Sequence, residues 1–230
     1  MRKRVFLLLS ASVMVQPIHI AIAEPAPPYL SLALKPTSEG AIYKYDLEYR
    51  DLDEKFVARI DPSKKQGERV ALISSSQDVM GDDFVEALID LEKNPVDEFW
   101  CSNLSDIVPL NAALMAETDA QVTYKFKPLP DLEDPDDIKL MEHLEGHITV
   151  SKQNPQVLSM SLIAPRPFKP VWIAKISQFE LSIDCDRVPD GRTHMSELRI
   201  SIVGKAAMQT FHQRERKTLF NITAVDNRIE

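Results

Sequence analysis

His143 and His147 in "EHLEGH" stand four residues apart, a spacing that on a helix puts two imidazoles on one face to share a metal ion. The surrounding carboxylates follow neither the H-E-x-x-H nor the H-x-x-E-H order of zinc hydrolases. Gly146 and the strand-like "HITVSK" end the helix before His147, so two solvated histidines at a helix end are expected. The acidic run "DLEDPDDIKLME" lacks the glycine a calcium loop needs at its sixth position, and Pro135 stands where a ligand belongs. "SSSQD" offers hydroxyls without a G-x-S-x-G or S-x-x-K frame, and no histidine is placed to activate one. Six glycines, none closely spaced, provide no phosphate loop. With no convergent acid, base, nucleophile or metal set, the chain reads as a non-enzyme without a cofactor.

The remaining chemistry is apolar and redox. Tyr43, Tyr45, Leu47 and Tyr49 alternate with Lys44, Asp46, Glu48 and Arg50, which places the tyrosines and the leucine on one face of a strand. Phe179, Leu181, Ile183 and Cys185 alternate in the same way opposite Glu180, Ser182, Asp184 and Asp186. Two readings stay open for these apolar rows. They cover a packed core, or they wall a cavity for a lipid or other apolar ligand, where tyrosine supplies both apolar body and polar tip. Cys101 and Cys185, the only cysteines, form no C-x-x-C and hence no thioredoxin-like site. They pair as one structural disulfide in an oxidising compartment, or remain two buried thiols. "NLS" at Asn103 and "NIT" at Asn221 match the glycosylation acceptor pattern, which matters only in a eukaryotic secretory pathway.

The elements that must position these residues are mostly strands. After the tyrosine strand come "KFVARI", a turn through Pro62 and Gly67, and "RVALIS", a meander of antiparallel hairpins. "AQVTYKF", "HITVSK", "QVLSMSLIA", "WIAKISQFELSIDCDRV", "HMSELRISIVGKA", "MQTFHQ" and "KTLFNITAV" follow, with the tight turn "PDGR" at Pro189–Arg192. Two helices interrupt them. "DDFVEALIDLEKNP" has Asp83 and Glu86 at capping-box spacing, a stripe of Phe84, Leu88 and Leu91, and Pro95 as a stop. In "DPDDIKLMEHLEG", Asp134 caps, Pro135 suits the first turn and Gly146 suits the exit. The expected fold is mainly β: a single curved antiparallel sheet, or half-barrel, of about nine or ten strands with two short helices on its concave face. A β-sandwich is the second choice, and it leaves the helices unplaced.

The first 23 residues carry Arg2, Lys3 and Arg4, an apolar run from Val5 to Val15, and "AIA" before Glu24, the layout of a signal peptide cleaved between Ala23 and Glu24. The run falls short of the ~20 apolar residues of a membrane span, so an uncleaved anchor is the lesser reading and no integral span is expected in the mature chain. Residues 24–39, with Pro25, Pro27 and Pro28, read as an extended lead-in, and residues 40–230 as one β-rich domain. Cleavage removes three cations and no acid, taking the net charge from −8 to −11, which argues against nucleic acid and anionic surfaces as partners.

A signal, one acidic domain, a tyrosine-bearing meander, two mid-chain helices and a closing run of long strands together resemble the LolA/LolB-like superfamily of bacterial envelope lipoprotein carriers. Segment 57–74, "VARIDPSKKQGERVALIS", is also similar to stretches of secreted proteins of Gram-negative bacteria. The resemblance implies a half-barrel holding acyl chains under helical lids. It is one of architecture. The "DGRTH" at Asp190–His194 lacks the Trp and Tyr of the family's D-G-x-x-x-W-x-Y turn, so no family site is carried onto these residues. The expected function is a non-enzymatic exported envelope protein, periplasmic in a Gram-negative cell and otherwise secreted, that accommodates a lipid or lipoprotein-like ligand. The alternative is a structural or assembly protein that binds another envelope polypeptide, for example at an open sheet edge.

Overall fold

The computed structural model describes residues 28–36, 40–76, 81–95, 99–171, 173–207 and 209–225. The signal-peptide region and its Ala23–Glu24 junction lie outside them, as do Gln77, Asp78 and Trp172. Among the described residues, eleven strands form one antiparallel sheet that does not close into a barrel. The strands are β1 (Ile42–Arg50), β2 (Lys55–Ile60), β3 (Val70–Ser75), β4 (Ala113–Glu117), β5 (Gln121–Phe126), β6 (Glu145–Ser151), β7 (Val157–Ile163), β8 (Phe168–Val171), β9 (Ala174–Arg187), β10 (Thr193–Ala206) and β11 (Gln209–Val225). Their spatial order is β3-β2-β1-β11-β10-β9-β7-β6-β5-β4, with β8 added alongside β9. Helices α1 (Pro28–Ala33), α2 (Asp82–Lys93) and α3 (Pro135–Met141) and a 3₁₀ turn at Cys101–Asp106 complete the fold.

The register makes the two faces explicit, because residues paired across strands share a face. One row runs Phe56, Tyr49, Lys217, Leu198, Ile183, Met160, Ile148 and Tyr124, crossing eight strands. Most of this inner row is apolar, and it belongs to a single core cluster with Leu30 of α1 and Phe99 of the segment before the 3₁₀ turn. The row on the outer face one residue along carries Arg199, Arg216, Arg50 and Lys55 in succession. Like charges opposite one another repel. The next outer row answers with Asp184, Glu197 and Glu48: Arg199 pairs with Asp184 and Glu197 at 2.8 Å each, Arg216 pairs with Glu197, and Lys55 pairs with Glu48 at 2.7 Å.

Local chemistry explains several expected turns. Asp51 Oδ1 accepts the backbone N–H groups of Asp53 and Glu54, closing the β1–β2 hairpin. Gly191 has φ 90° in the β9–β10 turn, where a side chain would be strained. Asp134 caps α3 by accepting the Asp136 N–H at 2.8 Å.

Other expectations are corrected. Gln209 to Gln213 of "MQTFHQ" and all of "KTLFNITAV" belong to one strand of 17 residues, β11, whose charged middle hides its continuity, while Met208 lies outside the described residues. Strands β4 and β8 were not anticipated: every residue of β4 is exposed, so no apolar alternation marks it, and β8 is only four residues long. Residues 28–33 of the expected extended lead-in are helical, because Pro28 is tolerated in a first turn and Leu30, Ala33 and Leu34 make a buried i, i+3, i+4 stripe. Helix α2 starts at Asp82 behind the N-cap Gly81, two residues before the expected cap at Asp83. Gly146 is a strand residue, not a helix exit. It pairs with Phe126, whose ring covers the site a Cβ would occupy.

Candidate ligand cleft

Three of the four β1 residues singled out by their alternation, Tyr45, Leu47 and Tyr49, line a cleft of about 530 Å³ between the sheet and α2. The meander brings Phe56 of β2 beside Tyr49, their rings stacked at 5.3 Å with 3° between planes. β11 supplies Leu219 and Lys217, β10 supplies Met195, α2 supplies Ala87, Asp90 and Leu91, and Asn94 follows as its C-cap. The floor is apolar or aromatic, whereas Asp90, Asn94 and Lys217 are polar. That is the general make-up of a site for a molecule with one apolar and one polar end. Tyr45 donates its hydroxyl to the Pro95 carbonyl at 2.7 Å, just beyond the helix.

Tyr43, the fourth residue, does not line this cleft. It stacks on Phe99 at 6.2 Å and meets Trp100 edge-on at 5.9 Å. The Arg192 guanidinium lies 3.8 Å from the Trp100 ring centre and donates to the Ala41 carbonyl at 2.6 Å and to Asp190. This knot ties the β9–β10 turn to the start of β1, next to the Cys101–Cys185 disulfide. The two sulfurs are bonded, with Cα atoms 6.4 Å apart. Burial followed by Asp190 raises the Tyr43 hydroxyl above its ordinary pKa. Burial alone would also raise Asp190, but hydrogen bonds from Arg192 outweigh it and its pKa falls.

Phe179, Leu181 and Ile183 share the inner face with the tyrosines but do not line this cleft. Ile183 reaches Tyr49 only through Leu198 and Lys217, three strand spacings or about 14 Å away. Phe179 and Ile183 are buried, Leu181 partly so. The two rows read from alternation are therefore two parts of one sheet face. Sequence reasoning did not pick out Phe56, Met195, Leu219, Ala87 and Asp90 of α2, or Asn94 at its C-terminal cap. The Leu88–Leu91 stripe was the available signal, but it splits: Leu91 lines this cleft and Leu88 faces β3.

The histidines do not converge. His143 stacks on Phe168 at 4.4 Å between α3 and β6, and His147 sits on β6 with Nε2 3.4 Å from Glu145. Both are half-buried rather than freely solvated. Among the described residues no helix is long and apolar enough to cross a membrane. Compared with protein-family models, curated proteins and solved structures, the chain finds no match in any of the three.

Proposed function

We propose that this chain is a non-enzymatic carrier that takes a single-chain lipid or similar amphiphile into the cleft between α2 and β1. The observation that carries this reading is the cleft itself: about 530 Å³, floored by Tyr45, Leu47, Tyr49 and Phe56, with polar groups of Asn94 and Lys217 on its lining. That volume lies within the range of small-molecule sites, roughly 300–1,000 Å³. The proposal includes export, because a bonded cysteine pair buried at 2% and 8% exposure belongs with an oxidising compartment. It also includes the half-barrel carrier relationship expected from the architecture.

Native mass spectrometry of protein purified from cells should find a co-purified amphiphile, and the delipidated protein should take up a fluorescent fatty acid. Ala87 lies on the α2 side of the cleft and is half-buried, so Ala87→Trp fills the space without disturbing the core. Uptake should fall about tenfold or more with an unchanged melting temperature. Equal uptake by this variant would place the ligand elsewhere, and a parent protein with no co-purified amphiphile and no fatty-acid uptake would remove the ligand altogether.

A further inference from the structure

His194 of β10 is only 5% exposed, yet its Nδ1 has no hydrogen-bond partner among the described residues. A buried polar nitrogen left this way is rare, because the hydration it loses is not replaced. What covers it is a short flap, residues 99–101. The Phe99 ring lies 5.4 Å from the imidazole, and Trp100 forms a backbone bridge with His194. The Phe99 carbonyl accepts the neighbouring Met195 N–H at 2.8 Å. At its far end the flap is hinged by the Cys101–Cys185 disulfide. Burial holds the His194 imidazole below its ordinary pKa, outweighing a backbone hydrogen bond at Met195 and the Asp186 carboxylate opposite on β9.

We propose that His194 is a proton-operated latch: neutral, it seats the flap on β10, and protonated, it lifts the flap and loosens the floor of the cleft. The cause is desolvation. An imidazolium needs acceptors for both of its N–H groups, and Nδ1 meets none while Phe99 keeps water out. Asp186 is exposed, so water and salt weaken its pull on the ring. Lifting Phe99 hydrates the imidazole while Cys101 stays bonded. That movement reaches the cleft, because Phe99 packs on Tyr45 with ring centres 4.9 Å apart. Tyr45 both floors the cleft and donates to the Pro95 carbonyl behind α2. The other titratable groups at the flap hold their state over the same range. Burial, then Asp190, raises the Tyr43 hydroxyl and keeps it neutral. Despite its burial, Asp190 is kept ionised by Arg192, whose guanidinium clamps Trp100. The flap is therefore fully seated above the ordinary imidazole value of about 6.5 and loosens as pH falls below it. Gating of cargo rests on the carrier reading above; the latch itself does not.

Hydrogen exchange at the Met195 amide, corrected for its intrinsic pH dependence, reports the flap. Its protection should fall by about fivefold or more between pH 7.5 and pH 5. A fluorescent lysophosphatidylcholine, whose charge is constant over this range, should dissociate faster at pH 5 by a similar factor. His194→Phe fills the space without a titrating nitrogen, and His194→Asn is a smaller replacement should the first fail to fold. Each should show the same protection at both pH values. His212→Asn, at an exposed histidine of β11, should behave as the parent does. Constant Met195 protection in the parent, or an equal fall in the His194 variants, would overturn the latch. Exchange that responds while the lipid leaves at one rate would overturn its coupling to the cleft. A parent that binds no lipid at either pH would fail the carrier reading alone, because Met195 exchange still decides the latch.

Discussion

Asp46 lies on the wet face of β1 yet is 3% exposed. Arg59 on the neighbouring strand grips it with two hydrogen bonds of 2.8 and 3.1 Å, and Asn221 adds a third at 2.9 Å. Asn221 can reach it because it stands at a bulge in β11 with φ 55°, a left-handed backbone that asparagine tolerates. The Arg59 hydrogen bond, against an opposing cost of burial, holds the Asp46 carboxyl below its ordinary range. The sign follows. A depressed folded pKa gives stability that is complete above the unfolded value of about 3.9 and drains away as pH falls toward the folded one. Asp46→Asn should therefore lower stability at pH 7 by about 2 kcal/mol, between the values for exposed and buried pairs because Arg59 is itself half open. Denaturant titrations of both proteins should begin to draw together as pH falls below about 3.9 and continue to do so toward the folded pKa. An equal gap at pH 7 and pH 3 would show that the ion pair is not its source.

Among the elements, α2 and the 3₁₀ turn are attached in opposite ways. α2 stands between two grooves and is fastened at its C-terminal end, where Glu92 takes three backbone N–H groups and Arg69 donates to the Glu92 and Lys93 carbonyls. The 3₁₀ turn is bonded covalently through Cys101 to β9, and the residues before it pair with β10: the Met195 N–H donates to the Phe99 carbonyl at 2.8 Å. The disulfide spans 84 residues, among them all of β4 to β8. On the loop-entropy model, closing a loop of that size contributes about 4.6 kcal/mol. The double substitution Cys101→Ser, Cys185→Ser should lower unfolding free energy by about that amount with the fold retained, read from denaturant midpoints. A loss well under 1 kcal/mol would mean that the knot of Tyr43, Trp100 and Arg192 already holds this segment.

For the whole molecule, the decisive contact is the pairing of β1 with β11, which joins Ile42 to Val225 and Arg50 to Arg216. It converts two separate meanders into one sheet, and places the cleft where strands from both ends of the chain meet. Such long-range pairing makes folding slow, on a timescale of milliseconds to seconds, because loop closure precedes any reward. A chain ending at Glu215 should lose the β1–β11 contacts, expose Tyr45 and Leu47, and unfold without a cooperative transition. Cooperative melting of that truncation, with native near-ultraviolet circular dichroism, would contradict the central place given to this strand pair.

Alternation alone determined that these are strands with one dry face, since a two-residue period reports burial wherever a sheet has one wet side; Tyr43, Tyr45, Leu47, Phe179 and Ile183 are all buried accordingly. Turn and cap chemistry was equally legible at Gly191 and Asp134, because it acts over a few residues. Elements without an apolar pattern were not: β4, the charged middle of β11, and α1, whose prolines masked its stripe. Neighbourhood across the sheet was illegible for a different reason. Which strand lies beside which depends on contacts between residues far apart in sequence. Only the tertiary structure decided that Tyr49 faces Phe56, Leu219 and Leu91 across a cleft, while Phe179 and Ile183 serve another part of the same core.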